Sequence, residues 1–220
     1  MSPVTPCADF CNTGPVTTES GTTHSGTDAR ARRVCPELVL CAIDDAMTTA
    51  WRTVAVTQRA RVRVHHGSVL DIPAHAVVSP ANSQGWMRGG IDAIYSRAFP
   101  GVEQQVRSAV LTYHGGELPV GQAVVVPTGE PQPTWLISAP TMRSPGENLP
   151  ADTVHPYLAA RAVFEFWRDG EVEHGISARD AIDVIAMPGL GTGVGGVEPA
   201  NCARQVAAAW DEVFGPATAT

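Results

Sequence analysis

Apolar and polar positions change their spacing from segment to segment along this chain, and the changes mark out elements. Residues 38–43, Leu-Val-Leu-Cys-Ala-Ile, form a short unbroken apolar run closed by Asp44 and Asp45. A run of that length bounded by carboxylates predicts a buried strand leading into a helix start, with the helix over residues 47–56. Residues 61–66 alternate valine with arginine and histidine, and residues 76–78 are a second short apolar run ending at Ser79-Pro80. Both predict strands, flanking a turn over residues 68–75. Helices are expected over residues 91–99 and 102–113, divided by Pro100-Gly101, a pair that stops one helix and starts another. Strands are expected over residues 120–126 and 135–139 around a proline-rich turn. A longer helix follows over residues 154–167, with Ala159, Ala160, Ala162, Val163, Phe166 and Trp167 giving it a small-residue face with aromatic anchors. A strand over residues 182–187 and a helix over residues 199–214, with Pro199 in its first turn, close the pattern.

Residues 1–33 do not take part in it. They are dominated by Thr, Ser, Gly and Pro with scarcely an apolar residue at either period, so they cannot offset the entropy of ordering and are expected to be a flexible tail. The folded domain is expected over residues 34–220. Its strands and helices mostly alternate without an internal repeat, which predicts an α/β class with a mixed or largely parallel sheet covered on both faces.

Charge narrows the chemistry. Fifteen Lys and Arg against 22 Asp and Glu leave a formal charge of −7 in 220 residues, so no general field attracts nucleic-acid phosphates. A phosphate site in such a chain must be local, built from backbone N–H groups or a few arginines. No apolar run approaches the roughly 18–20 residues that span a bilayer, and the N-terminus lacks the apolar stretch of a secretory leader. The chain therefore reads as cytoplasmic, with no membrane partner. Its five cysteines, Cys7, Cys11, Cys35, Cys41 and Cys202, are an odd number spread over tail, strand and helix and describe no disulfide framework. Cys7 and Cys11 beside His24 lack the spacing of a zinc site, and His65, His66, His114 and His155 have no cysteine or carboxylate at ligand or triad spacing, so no metal is expected.

Two segments carry candidate chemistry. The first, Ser79-Pro-Ala-Asn-Ser-Gln-Gly-Trp-Met-Arg-Gly-Gly-Ile-Asp92, follows a predicted strand and precedes a predicted helix, which sets it at the carboxyl ends of strands, where open α/β sheets bind ligands. Gly89 and Gly90 at the helix threshold let a ligand approach the backbone, and the helix start offers unpaired N–H groups to an anion. Asn82 carries a donor and an acceptor suited to a sugar hydroxyl; the plain alternative is a tight turn capped by Asn82. The second segment, residues 187–196, again lies between a strand and a helix and holds five glycines in the eight residues 189–196. Each glycine costs about 0.5–1 kcal/mol in a regular element, so neither helix nor strand explains them. A nest of inward N–H groups around an anion does, without a positive side chain. Together the loops describe a ligand with phosphates in its middle and a sugar at one end.

These loops resemble those of the macrodomain family, which binds ADP-ribose. The family's first loop, roughly Asn-Ala-Ala-Asn, a glycine run and Val-Asp, stands here as Ser79-Pro80-Ala81-Asn82 and Gly89-Gly90-Ile91-Asp92; its second, Pro-x-Leu-Gly-Thr-Gly-x-Gly-Gly, is matched by residues 188–196. The resemblance covers about residues 36–215, and the stretches at residues 121–129 and 139–143 look like a bacterial branch. It implies a three-layer α/β/α fold with a central mixed sheet of about six strands, and no cofactor or metal. It implies that Pro188, Gly191, Thr192, Gly193, Val194, Gly195 and Gly196 wrap the pyrophosphate, while Asn82, Gly89 and Gly90 surround the distal ribose. Asp92 matches the acid that helps hold or activate water in hydrolytic members, so Asp92 and Asn82 are the candidate catalytic residues.

Three departures qualify the transfer. Ser68 stands where the family has an acid that accepts from adenine, with Asp71 close enough to substitute if the turn brings it round; Ser79 replaces the loop's first asparagine; and the helix begins one residue early, which leaves open that Asp92 is only a favourable charge at a helix start. Arg88 and Arg143 are candidates for a phosphate or the modified group, or else are solvated. Trp86 and Trp135 stack on the ligand or pack; Cys202 reads as a small buried residue. The leading expectation is a hydrolase that removes mono-ADP-ribose from an acidic side chain of a modified protein or from a modified nucleic acid. The alternative is a non-catalytic reader of ADP-ribose. Neither the acceptor linkage nor an oligomeric state is legible.

Overall fold

The structure, a computed structural model, describes residues 34–54, 61–173 and 175–215. The flexible tail expected over residues 1–33, with Cys7, Cys11 and His24, lies outside the described residues, as do the last two residues of the first predicted helix.

Strand β1 (Glu37–Ala42) runs into α1 (Asp45–Thr53), whose start is fixed by the Asp44 carboxylate accepting from Met47 N at 2.8 Å. Next come β2 (Val62–His66), β3 (Ala76–Ser79), α2 (Gly90–Ala98) and α3 (Val102–His114). The chain continues through β4 (Val124–Pro127), β5 (Trp135–Ser138), α4 (His155–Asp169) and a small hairpin, β6 (Glu171–Glu173) with β7 (Ile176–Ser177). It ends with α5 (Ala178–Ala181), β8 (Val184–Met187) and α6 (Pro199–Phe214). The six expected strands are the six of the main sheet, in the order β2-β1-β8-β3-β5-β4, all parallel except β4. Strand β4 starts four residues later than expected. Gly121 sits at φ +95° and Gln122 N donates to Pro119 O, so residues 119–122 are a turn that apolar Val120 disguised. The β6–β7 hairpin is too short and too charged to show a period of two.

Alternate positions on the strands feed two cores. Leu38, Leu40, Val78, Ile137, Ile185 and Met187 face α1, α4 and α6, where Trp51, Phe164, Trp167 and Trp210 are buried. Phe164, Trp167 and Trp210 all pack on Phe214, Trp210 closest with its ring centroid 4.7 Å away. On the opposite face Val39, Cys41, Val77, Leu136 and Ala186 meet Tyr95, Phe99, Val102, Val106 and Val110 of α2 and α3. The result is the expected three-layer α/β/α sandwich around a mixed six-stranded sheet. Among the described residues no helix is long and apolar enough to cross a membrane.

Candidate functional site

Strands β1, β8, β3 and β5 are parallel neighbours, so their carboxyl ends share one edge of the sheet. A cleft of about 640 Å³ lies there, and its walls are the segments that leave those strands: Ile43 and Asp44 after β1, residues 80–92 after β3, Thr141 to Gly146 after β5, and the glycine loop after β8. The turn after β2 adds Gly67, Ser68 and Val69.

The first loop is held by its own side chains. Asn82 is buried; its Nδ2 donates to Trp86 O at 2.7 Å, and its Oδ1 accepts from Gln84 N and Trp86 N, each at 3.2 Å. Its amide therefore closes the turn of residues 82–86 as well as lining the cleft. Ser83 N donates to Met142 O at 2.9 Å, which ties the loop to the segment after β5. The loop ends at the N-terminus of α2, where Gly89 is the cap without any side-chain bond and Gly90 takes φ +55°. Gly89, Gly90 and Ile91, at the start of this helix, line the cleft.

Asp92 lies in that first turn, buried, and is one of the residues that line the cleft. Ser79, the last residue of β3, lies beneath it and donates its hydroxyl to Asp92 Oδ1 at 2.6 Å. Burial pushes the Asp92 carboxyl up from 3.8 to about 7, and the Ser79 bond pulls the other way. Asp92, in the first turn of α2, is thus turned onto Ser79. The residue in place of the family's first asparagine has become the partner of the acid, a pairing invisible in sequence because the two are thirteen residues apart.

The second loop is held by backbone. Val197 N donates to Gly191 O at 3.0 Å and Gly196 N to Gly193 O at 3.1 Å, while Leu149 N reaches in to Gly195 O at 2.9 Å. Below it Leu190 N donates to the buried Cys202 Sγ at 3.2 Å, and burial holds that thiol up at about 12, fully protonated. The N–H groups of residues 191–195 make no hydrogen bond among the described residues. Successive unbonded backbone N–H groups of this kind can form a concave anion receptor. Glycine is required by contact as well as by conformation: a Cβ on Gly195 would stand 2.7 Å from Gly191 O and 2.9 Å from Leu149 Cδ1. Gly191 and Gly196 take φ +69° and +70°. Val194, 46% exposed, arches across to the first loop, its Cγ2 3.6 Å from where a Cβ on Gly89 would be.

Among the expected site residues, Ser68, Asn82, Gly89, Gly90, Asp92, Pro188, Gly191, Thr192, Gly193, Val194 and Gly195 line this one cleft. Ser79 supports it through Asp92, and Gly196, at the end of the loop, is not among the lining residues. Asp71 does not turn into the cleft: its carboxylate accepts from Ser68 N at 3.0 Å, and the Ser68 hydroxyl accepts from Leu70 N at 3.2 Å. Arg88 lines the cleft beside Trp86, whereas Arg143 is bound to Glu117, 2.5 Å from Nε to Oε1. Trp135 is buried in the core. The sequence pattern did not assign Ile43 and Asp44, at a strand end and a helix start, to this cleft, nor the Leu149 and Cys202 braces, which carry no local motif. Among the described residues no group of three His, Cys, Asp or Glu side chains stands close enough to share a metal ion.

Comparison with known proteins places this geometry in a family. The Macro domain family model matches residues 78–206. An uncharacterised protein of Aquifex aeolicus is 34% identical over 143 residues, which are 65% of this chain and 76% of that protein. The macrodomain of Mycobacterium tuberculosis DarG superposes with a TM-score of 0.54 at 23% identity, covering 67% of this chain and 88% of its own. Thermosipho africanus DarTG in complex with ADP-ribose superposes with a TM-score of 0.52 at 16% identity, over 71% of this chain and 46% of that one.

Proposed function

The chain belongs to the macro domain family, and from that premise we propose that its cleft binds ADP-ribose and hydrolyses the bond between the distal ribose and an acceptor. The observation that carries the reading is the pairing of five unbonded N–H groups at residues 191–195 with a buried carboxyl, Asp92, in one cleft. The free amides and the α2 N-terminus suit a pyrophosphate in a chain whose net charge is −7. A structural neighbour in complex with ADP-ribose shares this fold, which supports the same ligand class.

In this reading the pyrophosphate lies in the second loop, the distal ribose sits between Gly89, Gly90 and Asp92, and the adenine lies toward Ile43, Asp44 and Ser68. Asn82 acts by holding the ribose loop in shape. Asp92 in its ionised form takes a proton from a water as the water oxygen bonds to the anomeric carbon. The acceptor leaves with the electron pair of the broken bond and collects a proton from the carboxyl or from solvent, so free ADP-ribose and unmodified acceptor are formed. A carboxyl titrating at about 7 is poised for both transfers near neutrality. The acceptor is taken to be a protein side chain.

The test is release of free ADP-ribose from a mono-ADP-ribosylated protein by the wild type and by Asp92→Asn, beside calorimetric titration with ADP-ribose. Release by the wild type alone supports the reading. The second reading, a binding module, draws on the commitment of the Asn82 amide to its own loop and on a serine at position 79. Tight binding without release selects it.

A further inference from the structure

Trp86, in the first loop, carries a guanidinium on each face. Arg88 Cζ lies 4.0 Å and Arg107 Cζ 3.5 Å from its ring centroid, and two guanidinium groups so close above one face would overlap, so they occupy opposite faces. The arrangement follows from Gly85 at φ +73°. A Cβ there would stand 3.0 Å from Val106 Cγ1 and 3.2 Å from Arg107 Cγ, so the loop backbone rests directly on α3 and lays the indole beside Arg107. Neither arginine pairs with a carboxylate among the described residues. The neighbouring acids are engaged elsewhere: Glu103 accepts from Met87 N at 2.9 Å, and Glu117 is bound to Arg143. Trp86 and Arg88 line the cleft, while Trp86 and Arg107 line a second depression of about 410 Å³ with Ser108 and the exposed Leu111. The indole is the wall the two share.

We propose that Arg88, Trp86 and Arg107 form an acceptor-side subsite for the carboxylates of an acidic protein segment flanking the ADP-ribosylated residue. The proposal rests on the reading of the cleft as an ADP-ribose site. Arg88 and Trp86 line the cleft beside Gly89, so on that reading they stand next to the group attached to the distal ribose. Two guanidinium planes held by one rigid ring present forked donors that match carboxylates, and Leu111 offers apolar contact to the peptide in the second depression. Both faces of the indole are occupied, which leaves no ring face on which a nucleobase would stack.

The experiment compares affinities for free ADP-ribose and for three ligands bearing ADP-ribose through a non-hydrolysable linkage: an acidic peptide, a neutral peptide of the same length and a short oligonucleotide. The wild type is expected to hold the acidic peptide about fivefold tighter than the neutral one, an advantage that shrinks as salt rises from roughly 50 to 300 mM. Arg107→Gln should abolish that advantage, Arg107→Lys should restore part of it, and both should bind free ADP-ribose as the wild type does. Equal affinity for the two peptides, tightest binding of the oligonucleotide, or an Arg107→Gln variant that keeps the acidic preference would overturn the proposal. If the wild type did not bind free ADP-ribose, the reading of the cleft would fail first and the subsite with it.

Discussion

The two loops that face each other across the cleft are built on opposite principles. The loop of residues 79–92 spends its side chains on itself: Asn82 closes its turn with three bonds, and Ser79 is joined to Asp92. The loop of residues 188–196 has almost no side chains to spend, and its shape comes from backbone bonds, close contacts that exclude a Cβ, and braces from Leu149 and Cys202. One loop therefore offers a tuned carboxyl and the other a row of free amides. A charged side chain near neutrality performs proton transfer, whereas fixed amides bind charge without changing state. The division predicts that mutations in the first loop alter rate and pH dependence, while mutations in the second alter affinity.

The largest effect expected is at Asp92. Asp92→Asn should lower ADP-ribose release by about 10²–10⁴-fold with little change in the ADP-ribose Kd, as steady-state turnover and calorimetry will report. A loss of affinity with unchanged turnover would reverse the roles of the loops. In the second loop, Gly195→Val cannot fit between Gly191 O and Leu149, so ADP-ribose affinity should fall about 100-fold while circular dichroism stays native. Ser79→Ala removes the bond that holds the Asp92 carboxyl down, so the rise of the rate with pH, expected through about 7 in the wild type, should move to higher pH. A pH–rate profile unchanged by Ser79→Ala contradicts the pairing.

Stability carries a related signature. The folded Asp92 holds its proton up to about 7 and the unfolded chain releases it near 3.8, so the folded state binds more protons between those values. The stability held below pH 3.8 is progressively lost as pH rises to about 7. Asp92→Asn should accordingly gain in denaturant midpoint over the wild type at pH 8 and gain little at pH 4. The smallest effect belongs to the brace: Cys202→Ala leaves the Leu190 N–H unpaired and should cost about 1–3 kcal/mol in thermal or urea unfolding, without a change in the pH–rate profile.

What was legible in the sequence follows the same division. Six strands and the flanking helices could be read because their apolar runs, alternations and helical faces are punctuated by Asp, Pro or Gly, as at residues 38–45 and 99–101. The second loop was readable because a backbone receptor must be written in glycine, so its chemistry is local in sequence. The first loop was readable only in outline. Whether Asn82 faces a sugar or its own turn, and whether Asp92 faces solvent or Ser79, depend on how β3 is set against α2, and no local pattern encodes that. Asp71 illustrates the limit from the other side: it is close to Ser68 in sequence, yet the turn presents it to the Ser68 amide and not to the cleft.

The most direct test of the account is a titration of the isotopically labelled chain with ADP-ribose, followed through the backbone amide resonances of residues 191–195 and of Gly89 and Gly90. These amides are expected to move together, saturate at one ADP-ribose, and shift most within residues 191–195. Saturable binding that leaves residues 191–195 unmoved, or no binding at all, would contradict it.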